Sequence, residues 1–475
     1  MRRRWMVLGL ALVGAGCANG PIDYRAQADA DLLHDALQSL TDVIVYDIFS
    51  PPQASRAYSY AGVAAYEALR HDHAEYRALA GQLNGLEPVP APPADGQLFL
   101  PLASVHAFMT VGRALTFSQE RMDSLRAVMH ERFRRMGVPR AVFEQSVAYG
   151  DTVAKHILAW ASKDGFVETR GYPKYTVVSE AGRWIPTPPA YMDAVEPHWS
   201  RLRPFVLDSA GQFRPPPPAP FDMSEGSAFR REVMEVYETG RSLTDEQRAI
   251  AAFWDCNPYV MHVRGHAMFA TKKISPGGHW MSVATIASRQ AGADLMKTAE
   301  TYALTAMALA DGFISNWEEK YRSNLVRPET VINELIDEGW QPLLQTPPFP
   351  EYTSGHSVIS TSAAEVLTHL YGDGFAFDDT SEMPFGLPSR WYPSFRSAAA
   401  EAAISRMYGG IHYRMAIEAG IEQGRGVGRL IASRVQTRAG GAVAQSAGGV
   451  AKNAGGSVAQ NAGGSVAQNA GGAQR

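Results

Sequence analysis

The chain has 475 residues, 45% of them hydrophobic, enough to bury a large core and to form more than one domain. Its formal net charge is −4, and setting aside Arg2, Arg3 and Arg4 leaves 41 basic against 48 acidic residues. No broad basic field remains, which argues against nucleic acid as a partner. Its two cysteines, Cys17 and Cys256, are too few for a zinc site made of cysteines. If Cys17 is modified no internal disulfide is possible, so packing must hold the fold, and Cys256 reads as a buried small apolar residue.

Met1–Gly16 has the layout of a secretory signal, with arginines at positions 2–4, an apolar run over Trp5–Val13, and small residues before Cys17. The run is too short to span a bilayer. Gly14-Ala15-Gly16-Cys17 resembles a bacterial lipobox, in which the cysteine becomes the lipidated first residue of the mature protein, although Gly14 replaces the usual Leu. With Ala18 rather than Asp after it, the resemblance implies an outer-membrane lipid anchor facing the periplasm of a Gram-negative cell. Plain secretion is the alternative.

Ala28–Phe49 and Gln53–Arg70 carry apolar residues at helical intervals, parted by Ser50-Pro51-Pro52. Ser104–Leu115, Ser118–Met136 and Arg140–Ser162 continue the pattern, with Ser118 as an N-cap and Gly137 with Pro139 as a stop. No long alternating stretch suggests a sheet. Residues 165–221 are rich in proline and aromatics, and read as an ordered connection wrapped over the helices. The seam divides an N-terminal helical half, 22–221, from a C-terminal one, 222–436. Helices resume at Ser227–Glu238 and at Thr244–Trp254, where Thr244 with Glu246 or Gln247 suits a capped start. A long run, Met281–Asn316, follows, and then Thr330–Glu338, Ser357–Leu370, Ser394–Met407 and His412–Val435. The end, 437–475, repeats AGGSVAQN at Ala454–Asn461 and Ala462–Asn469, and has too little apolar surface to order itself.

Three blocks carry chemistry. In WEEKYRSNLVRP, Trp317–Pro328, Lys320 and Arg327 stand seven residues apart, about two turns on one helix face. Pro328 disfavours helical backbone at Arg327, so the helix is predicted to end there with Arg327 at its mouth. Two such cations suit an oxyanion such as phosphate or vanadate. In PPFPEYTSGHSVIS, Pro347–Ser360, Thr353, Ser354 and Gly355 precede a helical run, so free N–H groups point at whatever lies before it. Gly355 admits close approach, and His356 can exchange protons near neutral pH. In SRMYGGIHYRMAIEAG, Ser405–Gly420, the Gly409-Gly410 break could bring Arg406 and His412 to one pocket. Each block alone matches something ordinary: a solvated face, a helix start, a buried arginine.

Together, in this order, they resemble the three-part signature of the phosphatidic acid phosphatase type 2 and vanadium haloperoxidase superfamily. The resemblance covers about Phe253–Leu430, and the N-terminal half is similar to the first half of bacterial vanadium-dependent haloperoxidases. It implies an all-α, vanadium chloroperoxidase-like fold of two helical bundles, with the anion site in the C-terminal catalytic one. It further implies that Lys320, Arg327 and Arg406 neutralise the oxygens of a bound vanadate, with Ser354 and the Gly355 N–H completing the cradle. His412 would bond the vanadium through a ring nitrogen, and His356 would be the acid–base partner. Two positions depart from the pattern: Thr353 stands where a Pro is usual, and Ala416 where an acidic residue often follows the third-block histidine. What orients His412 is therefore open.

The same cradle serves two chemistries. In a phosphatase, His412 would attack phosphorus and His356 protonate the leaving group. In a haloperoxidase, vanadate stays, and halide is oxidised by hydrogen peroxide to a hypohalous species that can pass to an organic acceptor. Three features of the resemblance favour the second: Trp317 and Phe349 at the halide-pocket positions, and Asp255 where an acid pairs with Arg406. A non-catalytic envelope lipoprotein with a degenerate pocket is a third reading, opposed by the retention of both histidines and all three cations. The sequence leaves the halide open, and assigns no role to His34, His71, His73, His262, His266 or His279.

Overall fold

The computed structural model describes residues 23–264 and 266–439. The signal and lipobox at Met1–Cys17 lie outside these residues, as does the tail from residue 440 onward. The first residues of the segment expected to be disordered, 437–439, are instead docked, with Thr437 buried and its carbonyl accepting the Arg77 N–H at 2.9 Å. No helix among the described residues is long and apolar enough to cross a membrane.

The N-terminal helices are α1 (Asp31–Tyr46), α2 (Pro51–Leu69), α3 (Leu100–Leu115), α4 (Gln119–Arg135), α5 (Arg140–Ala161) and the single turn α6 (Phe166–Thr169). After the proline-rich connection come α7 (Ala228–Arg241), α8 (Asp245–Phe253), α9 (Pro276–Gln290), α10 (Leu295–Ser323), α11 (Pro328–Leu335), α12 (Gly355–Tyr371), α13 (Phe395–Tyr408) and α14 (Arg414–Arg434). Two antiparallel hairpins, β1 (Met261–Arg264) with β2 (Ala267–Ala270) and β3 (Phe377–Asp379) with β4 (Arg390–Tyr392), are too short to alter the helical character.

Several boundaries follow from capping. Thr244 Oγ1 accepts the Gln247 N–H at 3.2 Å and Gln247 Oε1 accepts the Thr244 N–H at 2.9 Å, a reciprocal box that starts α8. Gly137, at φ +86°, closes α4. Ser118 occupies the N-cap of α4, yet its hydroxyl bonds Asp47 rather than the helix.

The 29-residue α10 is the axis. Helix α10 packs against α2 and α1, which join the remaining helices of the α1–α5 group, and against α12 and α14, on which α13 packs. One apolar core runs continuously from Leu32 to Val435 across α10. The proline-rich connection is pinned to α10 as well: Asp311, wholly buried, accepts the N–H groups of Phe205, Val206 and Leu207 at 2.7, 2.8 and 3.0 Å. Three donors leave that carboxylate well satisfied, although burial still pushes its pKa up to about 6. Helix α14 crosses α12 very closely, since a Cβ at Gly424 would lie 2.1 Å from the Val358 carbonyl oxygen. That crossing sets α14 against the N-terminus of α12, where the second chemical block lies.

Candidate active site

The helix carrying Lys320 ends earlier than the sequence predicts. Asn324 adopts left-handed backbone (φ 49°, ψ 41°), its N–H closing on the Lys320 carbonyl at 2.9 Å, so α10 stops at Ser323. Arg327 is extended (φ −75°, ψ 151°) and serves as N-cap of α11, which Pro328 begins. Lys320 and Arg327 therefore do not share one helix face. A turn, rather than helical periodicity, brings them together.

Both are wholly buried, as is Ser354; Arg406 and His412 are nearly so. Lys320 Nζ donates to the carbonyls of Pro350, Glu351 and Thr353 at 3.0, 3.0 and 2.6 Å. An ammonium has three donors, so this lysine is committed to holding the 350–353 loop and acts on the site through its charge. Arg327 Nε donates to the Phe349 carbonyl at 3.0 Å, and Nη1 to the Ile411 carbonyl at 2.8 Å and His412 Nε2 at 3.2 Å. Arg406 Nη1 donates to the Trp254 carbonyl at 2.6 Å and to His356 Nε2 at 3.3 Å. Arg327 Nη2 and Arg406 Nε, both buried, have no hydrogen-bond partner among the described residues.

Ser354 caps α12, its Oγ accepting the Ser357 N–H at 3.3 Å, and Gly355 opens the helix with an N–H that has no intrahelical acceptor. Of these groups only Gly355 and His356 keep intermediate exposure, which marks the open side of the site. The departure at Thr353 has a structural reason. Its hydroxyl donates to Gln423 Oε1 of α14 at 2.6 Å and accepts from Asn316 Nδ2 of α10 at 2.8 Å, and Gln423 Nε2 returns to the Ser315 carbonyl at 3.0 Å. A proline could make neither bond.

The residue that orients His412 is Glu351, which sequence reasoning missed. Its Oε1 lies 2.7 Å from His412 Nδ1 and accepts the Tyr413 N–H at 2.9 Å. The signal was there: Glu351 is the only charge between Gln341 and Gly355, in an otherwise apolar, proline-rich run. Ala416, buried, contributes its carbonyl to the Ser354 N–H at 3.0 Å instead of a side chain.

Two further expectations can be placed. Trp317 and Phe349 do meet, their ring centroids 5.0 Å apart, and Phe349 also faces Lys320 Nζ at 5.1 Å and Arg327 Cζ at 5.2 Å. The Trp317 indole N–H is taken by the Val195 carbonyl at 3.2 Å, so it offers this neighbourhood its ring and not its donor. Asp255 does not form the expected pair with Arg406. Its Oδ2 bonds Lys273 Nζ at 2.5 Å, because the hairpin that follows brings that lysine closer than the guanidinium, which is turned to the Trp254 carbonyl.

The electrostatics describe a site short of negative charge. Burial first, then the neighbouring Arg327, holds Lys320 well below its ordinary pKa. Burial brings Arg327 down to about 10 and lowers Arg406. Burial followed by Arg327, Lys320 and Arg406 keeps His412 well below 6.5, and burial with Arg406 and His279 does the same for His356. Glu351 moves the other way, pushed by burial up to about 8. Positive groups crowded in a desolvated pocket, with donors left over, fit a bound oxyanion.

The chain matches the VCPO second helical-bundle domain over residues 300–441. It is similar to a bacterial vanadium-dependent iodoperoxidase of known structure, with 50% identity, a TM-score of 0.82, and coverage of 86% of this chain and 97% of that one. A holo-type bacterial vanadium-dependent chloroperoxidase aligns with a TM-score of 0.64 at 18% identity, covering 82% and 93%, a likeness of fold. Its apo-type counterpart aligns at 0.62 and 18%, covering 83% and 94%. No curated protein sequence matches. The chain belongs to the vanadium-dependent haloperoxidases. It is an enzyme of that class, with the helical fold of vanadium chloroperoxidase.

Proposed function

We propose that the pocket between Arg327, Arg406, His412 and the N-terminus of α12 holds vanadate, and that the enzyme uses hydrogen peroxide to oxidise iodide. The observation that carries the first part is the pair of buried, unpartnered donors, Arg327 Nη2 and Arg406 Nε, in a pocket with excess positive charge. The 50% identical iodoperoxidase supports the choice of halide.

His412 Nε2 would hold the metal centre, with Arg327, Arg406 and the Gly355 N–H on its oxygens, and Lys320 adding charge. Bound vanadate supplies the Lewis acid that activates peroxide toward halide. The protein's share lies in protons and position. Glu351 Oε1 already accepts the Tyr413 N–H, so the imidazole donates Nδ1–H to it and keeps Nε2 as its acceptor nitrogen. That nitrogen takes the Arg327 Nη1–H here and would serve the metal centre once the guanidinium turns to the anion's oxygens. His356, on the exposed side and unprotonated at neutral pH, can take a proton at Nε2 from incoming peroxide once Arg406 Nη1, which donates to it here, turns to the anion, and can return that proton to product water. Trp317 and Phe349 form an apolar wall beside Lys320 and Arg327 where a large, weakly hydrated halide loses little on desolvation.

The test is turnover of the vanadate-loaded enzyme with peroxide and iodide or bromide, run beside hydrolysis of p-nitrophenyl phosphate. Iodide oxidation well above bromide oxidation, with little hydrolysis, is expected; brisk vanadate-sensitive hydrolysis without halide oxidation would overturn the assignment. The envelope anchor at Cys17 is also a proposal and rests on residues 1–18 alone. Mass spectrometry of the mature N-terminus checks it, an unmodified N-terminal residue refuting it.

A further inference from the structure

A second cluster of chemically capable side chains lies behind the wall of the oxyanion site. Cys256, in the loop after α8, His279, near the start of α9, and Asp379 and Glu382, at and after the end of β3, are all buried. Cys256 Sγ stands 3.3 Å from His279 Nδ1 and 3.6 Å from Glu382 Oε1, and Nδ1 is 3.0 Å from that same carboxylate oxygen. On the far side of the ring, His279 Nε2 bonds Asp379 Oδ2 at 2.8 Å.

These separations have a geometric meaning. With Zn–S near 2.3 Å and Zn–N and Zn–O near 2.0 Å, adjacent donors on a tetrahedral zinc are about 3.3–3.6 Å apart. The three sides of the Cys256–His279–Glu382 triangle fall within a few tenths of an ångström of that. The donor set is one thiol, one imidazole and one carboxylate, which favours zinc over the oxygen-seeking magnesium and calcium. Asp379 occupies the place of the outer carboxylate that fixes the tautomer and orientation of a metal-bound histidine.

Burial pushes the Cys256 thiol up to about 11, so the cluster does not resemble a reactive cysteine. A cavity of about 290 Å³ adjoins the cluster at Glu382, lined also by Asp255 and Lys273, with the exposed Leu343 and Phe385 at its edge. Glu382 thus faces both the cavity and the cluster.

We propose that Cys256 Sγ, His279 Nδ1 and Glu382 Oε1 bind a zinc ion, with Asp379 as the outer partner of His279. The ion tethers the loop after α8 to α9 and to the segment after β3. That loop matters to the oxyanion site. The Trp254 carbonyl, two residues before Cys256, holds Arg406 at 2.6 Å, and the Trp254 ring stacks on His279 with centroids 4.4 Å apart. The zinc therefore buttresses the backbone that aims Arg406. The sequence gives no sign of this site, because its ligands are 23 and 103 residues apart.

The test uses the full-length protein without vanadate, so its outcome is independent of the oxyanion reading. The protein is stripped with chelator, dialysed against Zn²⁺ or Co²⁺, desalted, and assayed for metal content and absorbance. One equivalent of zinc is expected, with a thiolate-to-metal charge-transfer band in the near ultraviolet for the cobalt form and a zinc-dependent rise in Tm. Cys256→Ser should abolish the band, and Asp379→Asn should weaken zinc about 10- to 100-fold while keeping the band. Wild-type protein that takes up no zinc, or a cobalt form without a thiolate band, overturns the proposal even if a variant fails to fold. So does a Cys256→Ser protein that retains a full equivalent.

Discussion

Glu351 Oε1 lies 2.7 Å from His412 Nδ1, a hydrogen bond between residues 61 apart that sets which imidazole nitrogen carries the acceptor lone pair. Removing the carboxylate leaves the ring without an enforced tautomer, and outer partners of metal-bound histidines are typically worth 10- to 100-fold in affinity or activity. Glu351→Ala should weaken vanadate by about that factor. Glu351→Gln, whose amide oxygen can still accept both N–H groups, should recover much of the loss. Vanadate titrations followed by Tm measure both, and an unchanged Kd in Glu351→Ala would remove the assigned role.

Vanadate should stabilise the fold, because it relieves a desolvated cluster of cations. A ligand at 100 times its Kd contributes about 2.7 kcal/mol, which would appear as a clear rise in Tm. Arg406→Met should abolish most of that rise, since Arg406 Nε is one of the two buried donors left open for the ligand. The same substitution should cost the vanadate-free protein little, as it removes an uncompensated buried charge. Differential scanning calorimetry with and without vanadate reads both effects.

Stability without vanadate should fall in acid. His356 and His412 are held well below 6.5, and His34 and His130 at about 4, each mainly by burial. For a depressed pKa the unfolded chain binds the proton first, so the stability is present above pH 6.5 and is lost as pH falls toward 4. Glu351, raised to about 8, acts in the opposite sense, its contribution present below its ordinary value of 4.5 and lost as pH rises through 8. Tm against pH should show a steep acid limb that flattens in His130→Asn. Between pH 5 and 8, Glu351→Gln should lose less stability with rising pH than the wild type does.

The break after Ser323 predicts a contrast between two substitutions. Asn324 holds left-handed backbone and its Oδ1 accepts the Tyr175 hydroxyl at 2.8 Å. Asn324→Ala should cost about 1–2 kcal/mol for that backbone and displace Arg327, weakening vanadate. Asn324→Gly should retain the turn and most of the affinity. Urea denaturation alongside vanadate titration separates the two, and equal affinities in both variants would show that the turn does not position Arg327.

Thr353→Val keeps shape and removes the hydroxyl shared by Gln423 and Asn316. Leaving the Gln423 Oε1 acceptor buried and unpaired should cost about 1–3 kcal/mol. Chemical denaturation measures it.

The sequence by itself marked most of the candidate site residues and the approximate course of most helices. Lys320, Arg327, Ser354, Gly355, His356, Arg406 and His412 stand in three blocks whose order and spacing survive folding. The helical periods, the Thr244 box and the Gly137 stop are encoded within a few residues, so they could be read directly. Other features were decided only by the tertiary structure. Arg327 reaches His412 through the left-handed turn at Asn324, Lys320 binds three loop carbonyls, Asp255 takes Lys273, and Glu351 takes His412. The physical reason is separation along the chain. Periodicity and caps report local backbone and burial, whereas the partner of a buried charge depends on where distant helices cross. Here those crossings are set by the approach of α14 to α12 at Gly424 and by α10 running between both groups of helices.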